Sequence, residues 1–267
     1  MPQAPELASI DGRAGPTSDA VIPAHDDGLL RGDGVFEVVK VYGGRPHAMD
    51  DHLDRMERSA AAISLALPRE QIEAEARALL DQAGEVDAQL RLVVTRGGRR
   101  LVFIEPLVDW PETAVLATVT YAPSVILTGV KSLSYGANMH STRIAKERGA
   151  DESLLVSPDG TVLEGPTCSI FWVDQSGVLK TPSLESGILD SIVRDRVIAE
   201  MEIEQDIYPL EDLLSGSEAF LASTTREIQP VSAVDETEFP EAPGPVTLEA
   251  QNAFRAMLER ELDSQPD

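Results

Sequence analysis

The sequence is short of the residues that cross-link small proteins or bind metals in them. Its 267 residues include one cysteine, Cys168, and four histidines. A single cysteine excludes an internal disulfide framework and a zinc cluster built on cysteines. The histidines stand in no metal-ligand spacing, so we expect no metal site. With 42% hydrophobic residues, the chain is long enough to bury two cores of ordinary size.

Positive charge and long apolar runs are also scarce. Against 46 acidic residues stand only 22 basic ones, which gives a formal net charge of −24. Such a surface disfavours nucleic acid and anionic membranes as partners. No apolar run is long enough to span a bilayer, and the start, MPQAPELASIDGRAGP, lacks the regions of a secretion signal. We therefore expect a soluble, cytoplasmic protein.

The patterns that are present alternate between strand and helix, which predicts an α+β fold. VFEVVKVY (35–42) is typical of a strand, and residues 52–67 have apolar side chains at helical spacing. A second helix is expected between Pro68 and Gly84. Two strands then follow, on either side of a Gly-Gly turn at 97–98.

Prolines around one apolar run at 106–125 suggest a crossing between domains. We expect a small N-terminal domain over 1–115, an interdomain linker over 116–124, and a larger cofactor-binding domain over 125–267. In the latter, ESLLVS, TVLEG, CSIFWV and SEAFLAS predict strands. Helices are predicted from Asp190 and at the C-terminal end.

Lysine is rare enough to examine one by one as a nucleophile. Lys146 lies in a polar helical stretch and Lys180 follows a turn, so both are interpreted as solvated surface residues. Lys131 lies between SVILTGV and SLSY, where apolar neighbours disfavour the charged amine. A depressed amine pKa suits imine chemistry. The alternative is a lysine stem that lies along apolar surface.

Three further segments could complete a site with Lys131. Glu164, in TVLEGPTCSIF, would need a partner if it is buried, for example a protonated ring nitrogen; the alternative is a turn residue in water. Gly187 precedes a helix whose first N–H groups can bind phosphate, and Thr224 and Thr225 follow a strand. Arg55 flanks the apolar face of its helix, with a surface ion pair as its alternative.

In the strand 35–42, alternation places Phe36, Val38, Lys40 and Tyr42 on one face. This face could line a substrate pocket, in which Lys40 would neutralise a carboxylate. The alternative is a lysine at the edge of the sheet facing water.

Taken together, RGDGVFEVVKVYGGRP, DDHLDRMERSA, GVKSLSYGANM, ERGADESLLVSPDGTVLEGPTCSIFWV, GILDSIVRD and STTREIQPV resemble the class IV aminotransferases. These are the pyridoxal phosphate enzymes of fold type IV, and the resemblance covers nearly the whole chain in order. The family includes branched-chain and D-amino acid aminotransferases, (R)-amine transaminases and aminodeoxychorismate lyases. The resemblance implies a two-domain α+β fold with its active site between domains, and a homodimer.

The resemblance also implies roles for individual residues. Lys131 matches the lysine that holds the cofactor as an imine and moves the proton, and Glu164 the carboxylate that keeps the ring nitrogen protonated. Tyr135 matches a residue near the ring oxygen. The implied phosphate-binding residues are Arg55, Ile188, Leu189 and Thr224. The implied substrate-binding residues are Phe36, Val38, Lys40, Arg99, Thr167 and Thr225, and Thr225 also belongs to the cofactor set.

Some features depart from the pattern and leave the subtype open. Many relatives have asparagine where this chain has Ser134 and Ser169. The turn around Gly97 is too short for the carboxylate-binding loop of D-amino acid aminotransferases, so Arg99 or Arg100 would have to replace it. LRLVVTRGGRR and GVKSLSYGANM also resemble aminodeoxychorismate lyases, which release 4-aminobenzoate and pyruvate.

The expected activity is transfer of an amino group from an amino acid or amine to a 2-oxo acid, with aminodeoxychorismate lyase as the alternative. A binding protein that has lost catalysis is a third hypothesis, because a fold does not guarantee a function. A nicotinamide enzyme is excluded, since the GDG of RGDGVFE precedes a strand instead of opening a helix.

Overall fold

The computed structural model describes residues 4–264, which form two compact units. The first unit contains 4–109, 130–135 and 261–264, and the second contains 110–129 and 136–260. Both combine helices with a sheet, so the prediction of an α+β fold is confirmed. Among the described residues, no helix is long and apolar enough to cross a membrane.

The first unit is an antiparallel sheet with two long helices packed on it. Its strands are β1 (Leu7–Ile10), β2 (Arg13–Pro16), β3 (Gly34–Tyr42), β4 (Arg45–Pro46), β5 (Ala88–Thr95) and β6 (Arg100–Glu105), in the order β2-β1-β6-β5-β3-β4. Its helices are α1 (Asp27–Arg31), α2 (Met49–Ala62) and α3 (Arg69–Ala83), with a 3-10 turn at Thr17–Asp19. Leu53 and Met56 of α2 pack with Val39 and Val41 of β3 in the core.

Helix α2 is shorter than the apolar spacing predicts. It ends at Ala62, because Ser64 adopts a left-handed conformation and the Leu65 N–H turns back to the carbonyl of Ala60. Leu65 and Leu67 nevertheless pack against the core from the loop. This packing explains why the apolar pattern continues beyond the helix.

The second unit is a mixed sheet. Its strands are β7 (Ala114–Thr120), β8 (Glu152–Val156), β9 (Ser169–Val173), β10 (Leu179–Pro182), β11 (Glu204–Asp206), β12 (Glu218–Ser223), β13 (Glu227–Val234) and β14 (Thr237–Glu238). The order is β11-β10-β9-β12-β13-β7-β8, with β14 beside β13. The helices are α4 (Gly136–Glu147), α5 (Ile192–Glu200), α6 (Leu210–Leu214) and α7 (Pro245–Asp263), with 3-10 turns at Val125–Leu127 and Leu184–Ser186. Residues of α7 after Arg260 are assigned to the first unit.

Two predictions about this half of the chain need correction. Residues 116–120, expected at the start of a linker, belong to β7, which pairs in parallel with β13 and β8. The flanking prolines lie outside this strand and do not interrupt it. TVLEG (161–165) is not a strand, because its pairing is limited to isolated bridges at Thr161, Val162 and Gly165 and to two backbone hydrogen bonds with Leu155.

Candidate active site

The segment 130–135 is held beside β3 in the first unit. The Phe36 N–H donates to the carbonyl of Lys131 at 3.2 Å, and the Leu133 N–H donates to that of Gly34 at 2.9 Å. The Lys131 N–H donates to Oγ of Ser59 on α2 at 3.1 Å. Lys131 is therefore fixed at its backbone by both a strand and a helix.

The side-chain amine of Lys131 lies beside two aromatic rings. Its Nζ is 4.5 Å from the ring centroid of Phe36 and 5.6 Å from that of Tyr135. The two rings meet edge to face with 5.1 Å between centroids. Lys131 is half-buried. The structure thus places three predicted site residues, Lys131, Phe36 and Tyr135, together.

On the opposite face of β3, Arg55 forms a buried ion pair that the sequence did not reveal. Its Nε donates to Oε1 of Glu37 and its Nη2 donates to Oε2, both at 2.7 Å. Nδ1 of His52 also lies 2.7 Å from Oε2 of Glu37. All three side chains are buried. The alternative interpretation of Arg55 as part of a surface ion pair is therefore wrong.

Electrostatics explain the protonation states of this group. Burial opposes ionisation of Glu37, but the charge and hydrogen bonds of Arg55, together with the hydrogen bond to His52, lower its pKa to about 2. Burial lowers the pKa of His52 despite the neighbouring Glu37, and the charges of Arg55 and Lys131 act in the same direction. At neutral pH His52 is therefore uncharged and donates its Nδ1–H to the Glu37 carboxylate.

In the second unit, Glu164 and the segment before α5 are in direct contact. The Leu189 N–H donates to Oε1 of Glu164 at 3.1 Å. Gly187 has a φ of 83°, and Ser191 caps α5 by accepting from the Arg194 N–H. The resemblance assigned the carboxylate and the amide to opposite ends of the cofactor. For the Leu189 N–H to bind the phosphate as the resemblance implies, it would have to leave Glu164.

Thr224 and Thr225 lie half-buried in the turn between β12 and β13. The next residue, Arg226, is buried and anchors this turn. Its Nη2 donates to Oε2 of Glu152 at 2.6 Å and its Nη1 donates to Oε1 of Gln229 at 2.7 Å. The guanidinium also stacks on a ring, that of Trp110, 3.5 Å from its centroid. The buried guanidinium of Arg226 thus holds the turn that contains Thr224 and Thr225 in place.

The remaining substrate candidates occupy different surroundings. Val38 and Lys40 are half-buried on the Phe36 face of β3, and Lys40 Nζ lies 5.0 Å from the ring centroid of Tyr42. Arg99 donates from Nη1 to Oδ2 of Asp11 at 2.6 Å. It lines a cavity of about 680 Å³ beside β1 and β2. Ile188 is buried, and Thr167 is exposed in the turn between Gly165 and Cys168.

Sequence reasoning missed Glu37, Ser59 and Arg226. Glu37 alternates with valines that face the core, and an acidic residue on a buried strand face indicates a buried partner. His52, Arg55 and Ser59 share one face of α2 at spacings of three and four residues, which would have pointed to the same group. Arg226 gave no comparable signal, because its partner Glu152 is distant in sequence.

The donor groups fit pyridoxal phosphate. A guanidinium, backbone N–H groups before a helix and threonine hydroxyls suit a phosphate group. A carboxylate suits a protonated pyridine nitrogen, and a half-buried amine beside aromatic rings suits an aldehyde carbon. Each chemical group of the cofactor therefore has a counterpart of matching polarity among the described residues.

Comparison with known proteins agrees with this chemistry. The family model described as amino-transferase class IV matches residues 34–234. A putative branched-chain-amino-acid aminotransferase of Methanocaldococcus jannaschii is 33% identical over 256 residues, covering 85% of this chain and 87% of that protein. A D-alanine aminotransferase of Bacillus licheniformis is 29% identical, covering 92% and 95%. An aminodeoxychorismate lyase of Bacillus subtilis is 27% identical, covering 95% and 94%.

Solved structures show the same fold. The branched-chain aminotransferase of Thermoproteus uzoniensis with norvaline superimposes with a TM-score of 0.87 at 26% identity, over 96% of both chains. The sequence prediction of the fold-type IV architecture is thereby confirmed.

Proposed function

Because the chain belongs to the class IV aminotransferases, a family of pyridoxal phosphate enzymes that act on an amino donor and an oxo acid, we propose that Lys131 is the residue that carries the cofactor. The single observation that supports this role is the placement of Lys131. Its backbone is bonded to β3 and α2, and its Nζ lies over the rings of Phe36 and Tyr135. Surface lysines such as Lys146 have no such environment.

We assign the other roles as follows. When bound, the cofactor supplies an aldehyde for amine exchange and an electron sink for the substrate. Nζ of Lys131 would hold the cofactor through its aldehyde carbon and, when free, would carry the proton taken from the substrate Cα. The Glu164 carboxylate would keep the ring nitrogen protonated, and Tyr135 would lie near the ring oxygen. The phosphate would be bound by Arg55, the amides of Ile188 and Leu189, and Thr224 with Thr225.

For the substrate, we propose amino transfer between an amino acid or amine and a 2-oxo acid. Phe36, Val38 and Lys40 would line the pocket, with Thr225 at the substrate carboxylate. Thr167 and Arg99 are the further substrate candidates, and Arg99 would have to leave its ion pair with Asp11. We also propose a cytoplasmic homodimer, based on the family resemblance and the single cysteine.

Aminodeoxychorismate lyase is the second candidate, because the Bacillus subtilis enzyme of that name matches 95% of this chain. The two reactions share the same residues up to removal of the Cα proton. They differ in the outcome, since the lyase releases pyruvate without needing an acceptor. Pyruvate formation from aminodeoxychorismate therefore distinguishes them.

A visible spectrum tests the assignment of Lys131. We expect the purified protein with pyridoxal phosphate to absorb at ~410–420 nm, the range of the lysine-bound cofactor. Adding D- or L-amino acids or (R)-amines without acceptor should bleach the band with the true donor. Lys131→Ala should lose the band and reduce turnover by several orders of magnitude. Lys146→Ala, which changes an exposed lysine, is the matched control.

Each outcome of this test has a distinct meaning. Bleaching by one donor class supports transamination and defines its handedness. A band that no donor bleaches, together with pyruvate release, supports the lyase. Near-normal turnover in Lys131→Ala would show that the assignment is wrong.

A further inference from the structure

Packing of the core alone does not explain the buried group formed by Glu37, His52 and Arg55. Each of these residues is at most 5% exposed. A buried ion pair adds little net stability compared with apolar side chains of the same volume, because desolvation offsets the attraction. Stability alone therefore gives little reason for three polar side chains between β3 and α2.

The geometry of the group controls the direction of one guanidinium. Glu37 engages the edge of Arg55 formed by Nε and Nη2, with two bonds of 2.7 Å. A bidentate contact of this kind fixes the plane of the guanidinium as well as its position. His52 donates to the same carboxylate at 2.7 Å and thereby limits rotation of Glu37. The orientation of the opposite edge of Arg55 follows from these contacts.

The same helix also positions Lys131. His52, Arg55 and Ser59 lie on one face of α2, and Ser59 accepts the Lys131 N–H. Glu37 follows Phe36, whose N–H donates to the carbonyl of Lys131. The pair β3 and α2 therefore holds the guanidinium and the lysine backbone in one rigid arrangement.

We propose that Glu37 and His52 are positioning residues that orient Arg55 toward the phosphate group of the cofactor. This inference rests on the proposed function, in which Arg55 contacts that phosphate. It assigns Glu37 and His52 no direct contact with the cofactor. Their effect should therefore appear only for ligands that carry a phosphate.

The test compares binding of pyridoxal phosphate with binding of pyridoxal, which lacks the phosphate. Dissociation constants would be measured by equilibrium dialysis on the cofactor-free full-length protein. Glu37→Gln keeps the shape of the side chain but removes the charge that orients Arg55. Loss of charge-assisted hydrogen bonds should weaken binding of pyridoxal phosphate by about ten- to a hundredfold, while binding of pyridoxal stays unchanged.

Glu73→Gln is the matched control. Glu73 pairs with Arg77 at 2.9 Å on α3, and both side chains of this pair are exposed. Both dissociation constants should be unchanged in this variant. A double-mutant cycle adds a second criterion: in an Arg55→Met background, Glu37→Gln should cause no further loss, because its effect acts through Arg55.

The outcomes separate this inference from the proposed function. Equal weakening of both ligands by Glu37→Gln, no weakening, or full additivity with Arg55→Met would each overturn the positioning role. If the wild-type protein binds pyridoxal as tightly as pyridoxal phosphate, the phosphate role of Arg55 itself is wrong. The role of Lys131 is tested separately by the spectrum.

A further variant covers the case in which Glu37→Gln does not fold, as judged by near-ultraviolet circular dichroism. His52→Gln leaves the Arg55 ion pair in place and removes a single contact with Glu37. This variant should show a smaller loss of affinity, which is again confined to pyridoxal phosphate. An unchanged ratio of the two dissociation constants in a folded His52→Gln protein would contradict the proposal.

Discussion

Cys168 is buried in the second unit, and its environment makes a pH-dependent contribution to stability. Burial raises the pKa of its thiol from 9.0 to about 12, and the charge of Arg226 compensates only in part. In the unfolded chain the thiol loses its proton first. The stabilising effect is therefore fully present below pH 9 and is lost as the pH rises toward 12.

Comparison with Cys168→Ala isolates this effect. Wild type should be more stable at pH 8, and the difference in unfolding free energy should shrink by about 2 kcal/mol at pH 10.5. Denaturant unfolding at both pH values measures it, and the variant serves as control for all other titrating groups. A difference that is independent of pH would show that the native thiol ionises normally.

At the scale of single residues, local context identified some site candidates but not their partners. The apolar segments around Lys131 distinguished it from Lys146, whereas Lys180 was misinterpreted. Lys180 is buried, and its Nζ contacts carboxylates of Asp174 and Asp212 at 3.0 Å. The partner Asp212 lies 32 positions further along the chain, so neighbouring sequence could not reveal it.

At the scale of elements, Lys180 joins β10 to α6 and to the turn after β9. Asp212 of α6 also accepts the indole N–H of Trp172 from β9 at 2.7 Å. Burial opposes the charge of Lys180, but its two carboxylate partners raise its pKa. One ammonium group therefore offsets the repulsion between two neighbouring carboxylates.

Lys180→Met tests this connection. It retains most of the apolar stem but leaves Asp174 and Asp212 without their cation, so we expect the unfolding free energy to fall by about 2 kcal/mol. Lys146→Met, at an exposed position of α4, should change it by less than about 0.5 kcal/mol. Chemical denaturation of both variants provides the measurement. Equal stability of the two would mean that the network contributes nothing.

Helices and strands with a regular spacing of apolar side chains were predictable, and those that depend on long-range pairing were not. Helix α3 begins after Pro68 and ends before Gly84, as expected, and the alternation of side chains predicted β3. The predicted C-terminal end of α2 and the predicted strand at 161–165 were wrong. Loop residues after α2 also pack on the core, and residues of 161–165 form single bridges. The short strands β1 and β2 have no comparable period, and they form only by pairing with β6 and with each other.

For the whole molecule, the sequence indicated the fold class and family but not the order of strands. In the second sheet β13 pairs with β12, its neighbour in the chain, and also with β7, which lies far from it in the chain, and no local pattern encodes this second pairing. The pairing of Glu37 with Arg55 in the first unit and of Arg226 with Glu152 in the second unit likewise depends on tertiary packing. The family was therefore more predictable than the contacts around the candidate site residues.

Net charge is a property of the whole chain, and it leads to a prediction about salt. The excess acidic side chains, which give a formal charge of −24, repel one another more strongly in the compact state than in the expanded unfolded chain. Raising sodium chloride from 0.1 M to 1 M shortens the screening length from about 10 Å to about 3 Å. We expect the midpoint of thermal unfolding at pH 7.5 to rise by at least about 2–4 °C.

The same salt series close to the isoelectric point, at about pH 4.4, is the internal control. There the net charge is near zero, so repulsion is absent and salt should leave the midpoint almost unchanged or lower it by weakening ion pairs. Scanning calorimetry at both pH values makes the comparison. A midpoint that falls with salt at pH 7.5 would mean that exposed attractive pairs such as Arg69 with Asp54 and Arg77 with Glu73 outweigh the repulsion among the acidic side chains.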